Sequence, residues 1–239
     1  ETVLTPWRVV NMQIGNTFGG YVFFDEKFEQ TISLPRIIKN GNVTENVYKP
    51  ESNILEINSK SGLYPLLVSY NIYRNTILDD FPEKQYNELT IPEQQVIWDK
   101  VVAKNIFVIC KTPMAKSITK RTLIGFRNKI VNTRYFEDLE NQITNKKINF
   151  IEKIKKGSAY WKANNNDNMK FKAIVGNPPY QVMDGGNSVS AKPIYHQFVD
   201  ISKKIKPDYI SLIMPARWYA GGKGVDDFRA SMLKDTRIS

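Results

Sequence analysis

Asn177-Pro178-Pro179-Tyr180 is the stretch of this sequence best suited to chemistry. It follows residues 171–175, an apolar run with Lys172 near its start that reads as a buried strand. Two prolines stiffen the turn and fix the direction of the Pro178 carbonyl. The Asn177 amide oxygen is an acceptor. These two oxygens together can take both hydrogens of an exocyclic amine, and the Tyr180 ring can stack on the flat system that carries it. Two further polar devices fall at predicted strand ends, Glu56 to Gly62 and Phe136-Glu137-Asp138. In an open α/β sheet, ligands bind beyond the carboxyl ends of strands where the strand order reverses. The three devices therefore point to one cleft for a small molecule and a second substrate.

The elements that must position them follow from hydrophobic patterning. Residues 53–57 form a short apolar strand with one acid, residues 58–62 a small polar turn, and residues 63–78 a helix. That is the first unit of a doubly wound α/β fold. A helix over 92–104 should bury Val96, Ile97, Val101 and Val102. The unbroken apolar run 106–110 suits a strand covered on both faces. Thr112-Pro113 is a hydroxyl cap followed by proline at the first helical position, starting a helix that runs to Gly125. A third strand over 129–135, a lysine-rich helix within 145–158 and an Asn/Asp turn at 164–168 lead to the strand before Asn177. After a flexible 184–187 come a helix over 193–205, a strand over 209–214, a glycine loop over 221–224 and a helix over 225–233. Alternating strands and helices give an α/β, doubly wound, mostly parallel sheet.

The N-terminal part is organised differently. Thr5-Pro6 opens a helix with Val9, Val10 and Met12 on one face, ended by Gly15. Residues 21–49 alternate aromatics with charges and read as a loop, with a small hairpin turning at Asn40-Gly41 between 37–39 and 43–45. The expected division is 1–20 for the Thr-Pro helix, 21–52 for an insertion and 53–239 for the α/β core.

Of the 239 residues, 41% are hydrophobic and 12% aromatic, with no run long enough to span a bilayer. The net charge of +10 favours a polyanionic partner. One cysteine, Cys110, precludes an internal disulfide, and the absence of a leader pattern agrees with a cytoplasmic protein. His196 is the only histidine, so a metal site has little support.

Asn177-Pro178-Pro179-Tyr180 resembles, at every position, the catalytic motif of the N6-adenine DNA methyltransferases of restriction–modification systems. Residues 55–62 resemble that family's first cofactor motif, with Glu56 at the strand end and Gly62 before the helix. Thr5-Pro6 with Val9, Val10 and Met12 resembles its N-terminal Thr-Pro helix, which closes over the methionine end of S-adenosylmethionine. Phe136 and Asp138 resemble the pair that holds the cofactor's adenine, and Pro215-Ala216-Arg217-Trp218 the loop beyond the catalytic site. The resemblance departs in three places: Asn58 to Ser61 replace a glycine-rich turn, Lys111 stands where a ribose-binding acid is expected, and Lys172 stands where such strands often carry an acid.

The resemblance implies a Rossmann-like, S-adenosylmethionine-dependent core. Its cofactor-binding residues would be Thr5, Pro6, Glu56, Asn58, Gly62, Phe136 and Asp138. Its catalytic residues would be Asn177, Pro178, Pro179 and Tyr180. Its substrate would be double-stranded DNA with a flipped adenine, methylated directly at N6 with no metal and no covalent enzyme intermediate. A methyltransferase of RNA or of a protein glutamine uses the same motif logic, and a catalytically silent DNA-binding or assembly module is the alternative of another class. The chain is further expected to be a piece of a larger protein without its last strands or a target-recognition domain, with a nuclease or helicase as possible further parts. Cofactor binding, with weak or no sequence-specific methylation, is expected of residues 1–239 alone.

Overall fold

Ile54–Ser59 (β3) and Ile106–Cys110 (β4) are buried at every position. Strands with no solvent face arise where helices cover a parallel sheet on both sides. The computed structural model of the protein, which describes residues 4–80, 88–161, 168–181, 192–222 and 224–238, shows that arrangement. β3 and β4 join Asn132–Tyr135 (β5), Ala173–Gly176 (β6) and Tyr209–Leu212 (β7) in a five-stranded parallel sheet. The order is β5-β4-β3-β6-β7, so the chain reverses its direction of travel between β3 and β6. This is the Rossmann-like fold expected from the alternation of elements.

Alternate residues of the strands feed two cores. Ile54, Val108, Cys110, Ala173 and Val175 face helices Trp7–Phe18 (α1), Leu63–Asp80 (α3) and Ile91–Asn105 (α4). Leu55, Ile57, Phe107, Ile109 and Ile174 face Leu139–Thr144 (α6), Lys147–Lys155 (α7) and Tyr195–Ile205 (α9). Trp161 and Phe171 complete this second core, each edge-on to Phe107. Pro113–Ile124 (α5) lies along β3, β4 and β5, capped by the Thr112 hydroxyl, which accepts from the Ala115 N–H at 3.1 Å. A further cluster joins α9 to the 3₁₀ turn Ala216–Ala220 and helix Asp226–Lys234 (α10) through Tyr195, Trp218 and Phe228. Gly157–Tyr160 (α8) is a single turn that follows α7.

Several sequence expectations are corrected. α1 begins at Trp7, capped by the Pro6 backbone without a side-chain bond from Thr5, and runs through Gly15 to Phe18. A side chain at Gly15 would sit 2.8 Å from Val22 and 2.9 Å from Ile38, so this glycine permits close packing and does not end the helix. Met12 is exposed, and Asn11 and Ile14 are buried with Val10 instead. Val96 of α4 is also exposed.

Asn40-Gly41 is not a hairpin turn: it starts the short helix Gly41–Val47 (α2). The hairpin exists one turn earlier, pairing Gly20–Phe24 (β1) with Thr31–Ile38 (β2). The strand before Asn177 is shorter than predicted, beginning at Ala173, although Phe171 remains buried. The expected turn at 184–187, and all but the last residue of the one at 164–168, lie outside the described residues.

The hairpin and α1 are bound together by buried amides. Asn11 accepts from the Phe23 N–H at 2.9 Å and donates to the Trp7 carbonyl at 2.8 Å. Asn71 of α3 accepts from the Tyr21 N–H at 2.5 Å and donates to the Tyr21 carbonyl. The 21–52 stretch thus clamps α1 against α3, which fixes where Thr5 lies.

Between β3 and α3 the backbone turns sharply. Gly62 has φ +77, and a Cβ there would be 3.0 Å from the Thr119 Cα of α5. Its N–H donates to Ser59 Oγ at 3.2 Å, while the Thr122 hydroxyl of α5 donates to the Ser61 carbonyl at 2.6 Å. Gly62→Ala is expected to destabilise the protein by about 2–4 kcal/mol, from left-handed strain plus overpacking. Chemical denaturation checks this, and a variant within about 0.5 kcal/mol of wild type would show that the turn relaxes freely.

Candidate functional site

The reversal between β3 and β6 opens a cleft at the carboxyl edge. Pairing runs Ile54 to Ala173, Leu55 to Ile174 and Glu56 to Val175, then stops. Beyond it the two chains part: β3 continues to Asn58 and Ser59, and β6 runs into Gly176 and Asn177. A small pocket, open to solvent, lies there, lined by Thr5, Glu56, Asn58, Lys60, Ser61, Leu63, Tyr64 and Asn177.

Each wall has a local cause. Asn58 sits at φ +73, where the register with β4 slips so that Ser59 pairs with Cys110. Asparagine tolerates this conformation better than most side chains. Gly176, at φ +147, brings its backbone against Glu56: a Cβ there would be 3.4 Å from Glu56 Cγ. The Asn177 amide donates from Nδ2 to Thr5 Oγ1 at 3.0 Å, across 172 positions of sequence.

Among the described residues, three buried polar atoms of this pocket have no hydrogen-bond partner: Glu56 Oε2, Asn58 Nδ2 and Asn177 Oδ1. Buried polar groups are normally paired, so such a cluster marks where a ligand supplies the missing bonds. It offers one carboxylate acceptor, one amide donor and one amide acceptor.

Burial raises the Glu56 pKa to about 8, opposed by the Ser59 hydrogen bond and the Lys60 charge. Burial lowers the Lys60 pKa, opposed by Glu56 and reinforced by Lys111. Burial, with Glu56 and Tyr180 nearby, pushes the Tyr64 phenol up, partly offset by its bond to Thr5.

The sequence-predicted residues divide into two groups. Thr5, Glu56, Asn58 and Asn177 meet at one pocket, with Pro6 beside Thr5 and Gly62 shaping the turn behind Ser61. Pro178 is buried, Pro179 half-buried, and Tyr180 40% exposed and outside the pocket lining. Phe136 and Asp138 are not brought to this pocket. They follow β5, two strands from β3 on the same carboxyl edge. Phe136 stacks on Tyr160 with rings 6.2 Å apart and 18° from parallel. Asp138 is exposed at the start of α6 and bonds to Gln142.

Lys111, after β4, pairs with Glu140 of α6 at 2.5 Å, so a carboxylate from α6 stands beside that strand end. Sequence reasoning took in Lys60 and Ser61 only as part of the stretch Glu56 to Gly62, and missed Leu63 and Tyr64 as walls of the pocket. Their position immediately around the Gly62 turn was the available signal.

A parallel α/β sheet with a polar pocket at its reversal point, and Asn177 of Asn-Pro-Pro-Tyr in its lining, defines the class of Rossmann-like methylases. The particular family follows from comparison: the family model for the Eco57I restriction-modification methylase matches residues 104–239, more than half of the chain, and the chain belongs to that family. The match takes in β4 to α10 and the Asn-Pro-Pro-Tyr wall, while Thr5 and Glu56 lie outside it. The chain is also similar to an uncharacterized adenine-specific methylase of Mycoplasma pneumoniae, 39% identical over 59 residues. That segment is 24% of this chain and 14% of the relative. No described helix is long and apolar enough to cross a membrane.

The raised Glu56 pKa makes the protein bind a proton that the unfolded chain does not hold between pH 4.5 and about 8. The stability associated with the neutral carboxyl is therefore fully present below pH 4.5 and lost as pH rises towards 8. Glu56→Gln, which stays neutral, is expected to gain on wild type by a few kcal/mol between pH 5 and pH 8 in denaturation at both values. Parallel pH profiles would show that Glu56 is already ionised at pH 5.

Proposed function

We propose that the protein transfers a methyl group from S-adenosylmethionine to N6 of adenine in DNA, as part of a restriction–modification system. The observation that carries this reading is Asn177 Oδ1: buried, unpaired, and aimed from the family's Asn-Pro-Pro-Tyr turn into the pocket that Glu56 and Thr5 share. The adenine-specific name of the Mycoplasma relative supports the choice of base. The net charge of +10 supports a nucleic acid as substrate.

The pocket suits the cofactor's chemistry. S-adenosylmethionine, when bound, supplies an electrophilic methyl group on a sulfonium cation. Glu56 offers a carboxylate to a cation or to hydroxyl donors, and Asn58 offers N–H donors to a carboxylate or a ring acceptor. Thr5 and Pro6 begin the helix that covers one side, and Gly62 allows the turn its closeness to α5. In this reading Phe136 and Asp138, further along the same edge, take the adenine end of the cofactor.

The protein's own part in transfer is hydrogen bonding and orientation. The lone pair of an adenine amine is delocalised into its ring. Asn177 Oδ1 and the Pro178 carbonyl accept the two amine hydrogens, which draws the nitrogen towards a tetrahedral shape and frees that lone pair. These fixed dipoles act where positive charge develops on nitrogen. Pro178 and Pro179 hold both oxygens without a reorganisation cost. A duplex hides N6, so the base is flipped out of the stack, and the exposed Tyr180, three residues past Asn177, offers its ring to it.

Labelled methyl transfer tests the reading. The intact protein should place label from S-adenosylmethionine on duplex DNA, recovered as N6-methyladenine. Asn177→Ala should lower the rate at least about a hundredfold while leaving cofactor affinity within about threefold. Label on RNA or on protein glutamine would move the substrate assignment, and no cofactor binding at millimolar concentration would favour a silent DNA-binding or assembly module. Equal loss of transfer and affinity in Asn177→Ala would place that residue in the fold and not in the chemistry.

The same reading gives a pH dependence. If a cationic or donor ligand favours ionised Glu56, binding releases a proton, so affinity should rise with pH up to about 8. Glu56→Gln should flatten that rise in titration calorimetry. An unchanged slope in the variant would remove Glu56 from the cofactor site.

A further inference from the structure

Tyr180 is not the only exposed ring at the carboxyl edge of the sheet. β7 pairs with β6 as far as Gly176 and Leu212, and the Ile213 N–H donates to the Gly176 carbonyl at 3.1 Å. The chain then leaves β7 for the 3₁₀ turn Ala216–Ala220, so this turn and the Asn-Pro-Pro-Tyr turn follow adjacent strands. α9 ties the two together. The Ile194 N–H donates to the Tyr180 carbonyl at 3.0 Å, and the next residue, Tyr195, packs with Trp218 in one buried cluster.

The turn presents Tyr219 in a fixed pose. Trp218 is buried against Phe228, whose ring stands edge-on at 5.9 Å. The Tyr219 ring lies on Trp218, with centroids 3.9 Å apart and planes 25° from parallel. One face is thus covered while the residue is 61% exposed, which leaves the other face to solvent. Three bonds close the backbone beneath it. Arg229 Nε donates to the Tyr219 carbonyl at 2.7 Å, the Gly221 N–H to the Trp218 carbonyl at 3.2 Å, and the Gly222 N–H to Asp226 Oδ1 at 2.8 Å. Single exposed apolar side chains are common on protein surfaces. A ring seated flat on a buried tryptophan, next in sequence but one to the exposed Arg217, is a different object. It is already ordered to receive a second flat ring, with a cation close by for an attached anion.

Inside a duplex both faces of every base are already stacked on neighbours. Extruding one base removes that cover from the bases around the gap. We propose that the open face of Tyr219 stacks on a DNA base left unstacked when the target adenine leaves the helix, with Arg217 on an adjoining phosphate. Tyr180 then attends the flipped base, and Tyr219 the gap it leaves. The choice of DNA rests on the methyl-transfer reading above, whereas the binding test needs no transfer.

Equilibrium binding of the intact protein to three fluorescent probes at one fixed, low salt concentration reads the contact. The probes are a short single-stranded DNA of mixed sequence, an abasic strand of the same length, and a duplex of G·C pairs only, which has no adenine to flip. Tyr219→Ala should weaken binding of the base-bearing single strand about five- to fiftyfold. It should change affinity for the abasic strand and the G·C duplex by less than about twofold, because neither offers an open base. Tyr219→Phe keeps the ring and should bind all three probes as wild type does. Arg217→Ala should weaken the base-bearing and abasic strands alike, as a phosphate contact does. An unchanged affinity for the base-bearing strand in Tyr219→Ala, or an equal loss on the abasic strand, would overturn the inference, as would a wild type that binds no DNA. Tyr219-dependent binding in a protein that places no label on DNA would sink the functional reading and leave this one standing. Methyl transfer to DNA with no effect of Tyr219→Ala on binding would do the reverse.

Discussion

The parallel pairing of β3 with β6 is the contact on which the rest of the structure depends. Only three residue pairs form, ending at Glu56 and Val175. The brevity is productive. Had the ladder continued, Asn58 and Asn177 would have spent their backbones on each other, with no cleft between them. Instead β3 slips its register against β4 at Asn58, and β6 ends in a glycine followed by two prolines two residues later. Both strands are tied firmly below that point by apolar side chains on two faces. The rigid lower sheet therefore holds a parted upper edge, where unpaired polar atoms survive burial. Such atoms are costly in a folded protein, and a site that binds a ligand is where the cost is recovered.

The pocket is not made by the sheet alone. Thr5 lies at the start of α1, far in sequence from everything it touches. α1 is placed by the hairpin β1–β2, held through Asn11 and Asn71, and by Gln13 and Thr17 reaching Ser211 on the edge strand. The stretch that reads as a surface insertion thus has a mechanical role: it clamps the helix whose first residues line the pocket. This also accounts for Gly15. Its missing side chain lets the hairpin approach to van der Waals contact, which a helix stop would not require.

Much of the core was legible because its signals are local. β4 is an unbroken apolar run, α5 begins with Thr-Pro, and α9 carries its apolar residues at helical spacing, so each element declares itself within its own residues. What failed were signals whose meaning is set at a distance. Asn40-Gly41 has the composition of a hairpin turn, but Asn40 Nδ2 donates to the Thr17 carbonyl at 2.8 Å and its N–H to Thr44 Oγ1, which favours a helix start. The true turn, at 25–30, is held by Asp25 accepting from the Glu29 N–H at 2.7 Å.

In the site, Asn177 and Glu56 stood out because their types and strand-end positions are unusual. Tyr64 and Gln13 did not, since a tyrosine and a glutamine on helices look ordinary. Their bonds span 51 and 198 positions and exist only once the sheet is folded. Phe136 and Asp138 show the opposite case: residues chosen by resemblance that the fold places two strands along the edge, among an aromatic group with Tyr160 and Phe150.

The central claim is that the parting of β3 and β6 is a cofactor site facing the Asn177 amide. A crystal structure of the protein soaked with S-adenosylmethionine tests it most directly. The account predicts cofactor density in the pocket lined by Thr5, Glu56, Asn58, Tyr64 and Asn177, with ligand atoms satisfying Glu56 Oε2 and Asn58 Nδ2. Density elsewhere on the molecule, or none at saturating cofactor, would contradict it.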